Sequence, residues 1–204
     1  MGRPLLAFLI CLAIIMLEGD LFAQTGSLTK DPTKLIRKYL ELDMKGARLN
    51  SLTFEAQRPY VAWQEEPVWG QIVVVAGYEI ADRLDQWRVI NNVDVIIPVR
   101  FVILGSVYLE QATFHADPHV ETVEFHVKAM TGLWRIVEPM LPPHIGHKRI
   151  INFIRQSVIE ERDPARAAML TALREEVARA KAPEAAAHAP DESLPALPSF
   201  GPSR

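Results

Sequence analysis

Between residues 95 and 109, apolar side chains fall on the odd positions: Val95, Ile97, Val99, Phe101, Ile103, Val107 and Leu109, with Gly105 among them. A two-residue period is that of a strand laid on a core. The run exceeds the usual strand of about 5–6 residues. It is therefore read as one long antiparallel strand, bent near Gly105, because glycine inside a strand accompanies a bulge or kink. Pro98 has no N–H to give to a ladder and predicts an edge or bulge position.

The neighbouring segments repeat the pattern. Ile72, Val74, Ala76, Tyr78 and Ile80 share one face, while Val73 and Val75 make the other face apolar too, so that end is expected to be buried on both sides. A shorter segment begins at Trp87-Arg88-Val89-Ile90. Val123, Phe125, Val127 and Ala129 alternate with Glu124, His126 and Lys128, which sets one face on a core and the other in water or in a polar cleft. Ala116-Asp117-Pro118 reads as a turn and Thr131-Gly132 as a tight hairpin, leading into Gly132-Leu133-Trp134-Arg135-Ile136-Val137. Such short links favour an antiparallel meander, because a parallel pair needs a crossover of about a dozen residues or more.

Helices flank the sheet. Asp31 caps a helix with Pro32 in its first position; Leu35, Ile36, Tyr39, Leu40 and Leu42 form the apolar face, and the helix is expected to stop near Gly46 or to run on to Leu49. Residues 53–68 hold Tyr60 and Trp63, are broken by Pro59 and Pro67, and predict a short helix or strand over the open end of the sheet. After Pro139, Met140-Leu141-Pro142-Pro143-His144 is a stiff connector. A helix over 147–161 carries Ile150, Ile151, Ile154 and Val158, and Asp163-Pro164 starts another that runs to about Lys181. Its apolar face, mostly alanine with Met169, Leu170, Leu173 and Val177, is thin for docking.

The amino terminus bears on compartment. Arg3 precedes an apolar run over 5–17, and Leu21-Phe22-Ala23 offers a cleavage point before Gln24. This is the pattern of a secretory signal peptide, and the run is short for a bilayer span of about 20 residues. Export to the periplasm or the exterior is expected, with membrane attachment only if the signal stays uncleaved. Cys11, the sole cysteine, lies within that run, so the mature chain is expected to have no disulfide, thiolate nucleophile or cysteine metal site. The division expected is a signal peptide over 1–23, a linker over 24–30, a domain over 31–139, a helical extension over 140–182 and a disordered, Ala- and Pro-rich tail over 183–204. A net charge of −3, with no Lys/Arg cluster interleaved with aromatics, argues against nucleic acid.

An amphipathic first helix followed by a bent antiparallel sheet resembles the nuclear transport factor 2-like superfamily, the cystatin-like α+β cone. The residues that carry the likeness are Asp31-Pro32 through Tyr39-Leu40, the long strand over 95–109, and Gly132-Leu133-Trp134-Arg135-Ile136, similar to the family's frequent last strand. It covers about half the chain. The resemblance implies an α+β fold in which the first helix packs on a curved antiparallel sheet, with a pocket between them; the carboxy-terminal helices extend beyond it. Some relatives are isomerases, dehydratases or cyclases, and many are binding or assembly modules that dimerise through the sheet, so the fold alone does not select a function.

Each candidate site residue has a structural reading beside a functional one. Tyr39 and Asp43 are one turn apart on the first helix; an acid and a tyrosine can share proton transfer and oxyanion stabilisation, but Tyr39 also reads as core. Asp94 is either turn polarity or a pocket acid. Arg100 and Arg135 either reach water along their stems or meet an anion. His126 lies on a solvated strand face or in a cleft. Trp63, Trp69, Trp87 and Trp134 read as core or as the wall of an apolar ligand site. His115, Asp117 and His119 offer imidazole and carboxylate but lack a further metal ligand. His144 and His147 read as exposed or capping residues at a helix start. No phosphate loop, Gly-x-Ser-x-Gly elbow or His-Glu-x-x-His is present. The leading expectation is a non-catalytic binding or interaction module for a small apolar ligand, a protein partner or a second copy, with no cofactor or metal. The alternative is a pocket enzyme with isomerase or dehydratase chemistry.

Overall fold

The computed structural model describes residues 31–49 and 55–183. The expected signal segment, the linker and the tail from residue 184 onward lie outside them.

The chain is an α+β structure. Helix α1 (Pro32–Met44) begins at Asp31, whose carboxylate accepts from the Thr33 N–H at 3.0 Å, with Pro32 in the first turn. After the short turns Ala47–Leu49 and Arg58–Tyr60 come strands β1 (Ile72–Ile80), β2 (Arg88–Asn91), β3 (Asp94–Tyr108), β4 (Thr113–Met130), β5 (Leu133–Glu138) and β6 (His144–Gly146). Helices α2 (His147–Glu160) and α3 (Pro164–Arg179) follow. The sheet runs β5-β4-β3-β1-β6, with β2 added to β3. All pairs are antiparallel except β6, which lies parallel to β1.

β3 is the spine, and it bends at Gly105 as its sequence predicts. Gly105 has φ +145°, and a Cβ there would stand 2.2 Å from the His115 carbonyl oxygen, so only glycine fits. Between the pairs Ile103–His119 and Gly105–Ala116, β3 contributes one residue and β4 two. Ala116-Asp117-Pro118 is therefore not a turn but part of β4. Pro118 falls in the interrupted stretch of the ladder, where a missing N–H removes no pair. The chain reverses instead at 109–112, where the Ala112 N–H donates to Leu109 O at 3.2 Å and Ala112 takes φ +52°. Pro98 is also placed by its missing donor. It lies where β1 ends and β2 begins along β3, and its carbonyl accepts from Ala81 N–H at 3.0 Å. The Thr131-Gly132 hairpin forms as read, with φ +52° and +83°.

The bend gives the sheet two covered surfaces. On the inner face α1 packs Leu35, Ile36, Tyr39 and Leu40 against Val73, Val75, Ile97, Val99, Phe101, Phe125, Val127 and Ile136. At the β1–β3 end the outer face is covered too: Ile72, Val74, Leu104 and Val107 meet Ile145, Ile150, Ile154, Leu170, Leu173 and Val177. The thin face of α3 docks after all, through three aliphatic side chains. The connector ends in a strand, so β6 welds the helical extension into the sheet.

Candidate functional site

Asp43 lies one turn beyond Tyr39 on α1. Gly46 follows with φ +83°, a value that ends helices. The reversal turns Arg48 back beneath the helix end. There Arg48 Nε bonds Asp43 Oδ1 at 2.8 Å and Nη2 bonds Asp43 Oδ2 at 2.5 Å, a bidentate pair. Nη2 also donates to Pro142 O at 3.0 Å, and Nη1 to Leu141 O at 2.6 Å and Glu66 Oε2 at 3.3 Å. The five donors of the guanidinium are thereby used. Asp43 Oδ2 accepts in addition from the His144 N–H at 2.9 Å, and Glu66 Oε1 from Trp63 Nε1 at 3.2 Å. The side chains of Arg48 and Asp43 are 2% and 1% exposed.

The electrostatics follow from this enclosure. Burial works against charge on Arg48, but the carboxylate of Asp43 outweighs it and holds the guanidinium above its ordinary range. Burial pushes the Tyr39 hydroxyl up, opposed in part by Arg48, which lies 5.9 Å over the ring. His144, 4% exposed, stacks 4.7 Å from Phe101, and its Nδ1 donates to Pro142 O at 2.7 Å; desolvation holds its pKa below the usual histidine value. The expectation of an exposed or capping His144 is thus corrected.

Side chains fill the middle of the space between α1 and the sheet. Tyr39 meets Phe125 at 6.3 Å edge-on, and Phe125 meets Phe101 at 6.4 Å. Ile36, Leu40 and Ile97 close the gaps, and Trp63, Trp87 and Trp134 seal the margins, partly buried.

The structure divides the predicted site residues between two faces. Tyr39, Asp43, Trp63 and Trp134 belong to the inner side. Asp94, Arg100 and His126 lie on the outer face, because they alternate with the core residues of β3 and β4, so the seven do not line one pocket. On that outer face His126 Nε2 bonds Asp94 Oδ1 at 2.5 Å, Lys128 Nζ lies 3.3 Å from Asp94 Oδ2, and Glu138 lies 3.8 Å from His126 Nδ1. Partial desolvation raises the Asp94 carboxyl, but His126 and Lys128 outweigh it and set it below the ordinary value. Arg88 pairs with Glu124 at 2.9 Å and Arg100 with Glu79 at 3.7 Å. Arg135 stands opposite Lys128 on the same face.

The remaining histidines are dispersed. His115 packs on Tyr108 at 5.1 Å, and His119 folds onto its neighbour Asp117. Among the described residues no group of three or more His, Cys, Asp or Glu is arranged to hold a metal ion. The Trp69 indole N–H is buried with no hydrogen-bond partner.

The sequence reading missed Arg48, Glu66 and one open groove. The groove, about 540 Å³, lies between the carboxy-terminal turn of α1 and the start of α2, with Ala76 and Tyr78 of β1 at its base. No protein-family model, curated protein or solved structure matches the chain.

Proposed function

We propose that this chain is an exported, non-catalytic interaction module built on a nuclear transport factor 2-like plan. One observation carries the non-catalytic reading: the interior where a pocket enzyme of that plan would bind substrate is filled by Tyr39, Phe101 and Phe125, and the candidate acid Asp43 is consumed by Arg48 and the His144 N–H. A general base needs hydrogen-bond reach to a substrate proton. Asp43 offers no such approach. A protein partner therefore fits better than a small apolar ligand. The outer face, with its rows of paired charges, is the surface presented to such a partner or to a second copy. Among the described residues no helix is long and apolar enough to cross a membrane. The export reading rests on Arg3, the apolar run and Leu21-Phe22-Ala23, and amino-terminal sequencing of secreted protein should begin at Gln24.

The test of the non-catalytic reading is an NMR titration with a panel of steroid-like and aromatic enones. The methyl resonances of Ile36, Leu40 and Ile97 are expected to stay in place. Saturable shifts of those methyls, with turnover of any panel member, would overturn it.

A further inference from the structure

We infer that the edge of β1 beyond Val75 grips an extended, acidic segment of a protein partner by adding it to the sheet. The inference rests on the interaction-module reading and gives it a point of contact and a partner chemistry.

The opening follows from the sheet's own topology. β6 covers β1 only from Val73 to Val75, because at Gly146 the chain turns into α2. β1 runs on to Ile80 beside β3, and among the described residues no strand pairs with its other edge there. The direction of the backbone groups is set by Ala81, whose N–H donates toward β3, to Pro98 O at 3.0 Å. Along an antiparallel ladder these directions alternate, so the N–H and C=O of Tyr78 turn to the side that β6 has left. Among the described residues neither has a partner on that side. The Tyr78 ring packs on Phe101 at 6.5 Å, which holds the edge in place. The far margin of the sheet is closed by contrast: on β5 the Ala62 N–H donates to Ile136 O at 2.9 Å. An open edge is a template for a further strand, and backbone pairing of this kind is one way in which modules take up extended peptides.

The groove supplies room and selects chemistry. Its volume of about 540 Å³ lies against this edge, with Met44, Ala76 and Tyr78 as an apolar base and Lys45, Lys148 and Arg149 around it. Arg149 is braced by Nε donating to Lys45 O at 3.0 Å. Among the described residues these three cations pair with no acid, while Glu41, the acid of the lining, is matched by Lys38 at 3.9 Å. An added strand turns alternate side chains to opposite faces. A segment that alternates apolar and acidic residues therefore offers one set to the apolar base and the other to the cations. A basic segment meets like charge and is rejected.

An NMR titration of the full chain with three synthetic probes tests this. The first is a blocked hexapeptide alternating valine and glutamate. The second has lysine for glutamate, and the third is the first with its central backbone nitrogens methylated. The acidic peptide is expected to give saturable shifts at the Ala76 and Tyr78 amides and to slow solvent exchange of the Tyr78 N–H. Methylation should weaken binding about tenfold by removing ladder hydrogen bonds. Lys45→Glu and Lys148→Glu should each weaken it about tenfold as well. Equal binding of the lysine peptide, or saturable shifts that spare Tyr78, would overturn the inference. So would broadening of the Tyr78 amide with protein concentration alone, which would give the edge to a second copy. Absence of binding by the acidic peptide would overturn it too and leave the module reading standing, since the enone titration of the inner methyls tests that reading separately.

Discussion

Asp43 and Asp94 make an instructive pair. Each carboxylate lies near the end of an element and faces cationic or imidazole partners. Asp43 is 1% exposed and gathers Arg48 and the His144 backbone from segments distant in sequence. Asp94 is 13% exposed, and its partners His126 and Lys128 stand on β4, already aligned beside it by the ladder. The same chemistry therefore has two meanings. Where burial removes water, the ion pair is a clasp between distant parts of the chain. Where water remains and strands already fix the geometry, the charges are nearly redundant for folding.

The largest expected effect comes from opening the clasp. Arg48→Ala leaves a buried carboxylate uncompensated and should cost about 3–5 kcal/mol in chemical denaturation. Asp43→Asn is expected to cost less, about 2–3 kcal/mol, because the amide keeps an oxygen for Arg48 while the Leu141 and Pro142 carbonyls still hold it. A loss below about 1 kcal/mol for either would break the contrast with Asp94.

The next test is acidity. An unfolded histidine titrates near 6.5, and burial keeps folded His144 below that. Its contribution is whole above pH 6.5 and is lost as pH falls through the folded value. Stability should therefore decline from pH 6.5 to 5, and His144→Gln should flatten that decline by up to about 1.4 kcal/mol per pH unit. An unchanged slope would move the effect to another group.

The smallest effects belong to the outer face. NMR titration should place the Asp94 carboxyl below its ordinary 3.8, so its contribution is present above that value and lost as pH falls through the folded one. Lys128→Ala should move the midpoint upward. Asp94→Asn should leave the unfolding midpoint at pH 7 where it was. If it instead unfolded the protein as readily as Arg48→Ala, the two acids would not differ in kind.

Much of the frame was readable because its causes are local. Asp31-Pro32 announces α1 by capping chemistry, Gly105 marks the bend, and Thr131-Gly132 supplies the hairpin dihedrals. Pro118 misled because proline marks both turns and bulges, and only the partner strand tells them apart. β6 was invisible, since three residues show no period. The docking of α3 was underrated because Leu170, Leu173 and Val177 are few, yet each is buried by the sheet end and α2. Asp43 reads from the sequence as a candidate pocket-lining acid, but its real partner does not show there. Arg48 lies five residues on, past a glycine reversal, and its other acceptors are 18, 93 and 94 residues away. No spacing rule reaches that far.

The parallel strand β6 also sets a condition on synthesis. β1 obtains its second neighbour, and Arg48 its two carbonyl acceptors, only when residues 141–146 have been made. A nascent chain emerging amino end first carries an ion pair without its full set of acceptors and a sheet with an open side for most of its elongation. The two cores therefore close in order: every buried member of the inner one lies between Leu35 and Ile136, whereas the outer one waits for Ile145, Ile150, Ile154, Leu170, Leu173 and Val177.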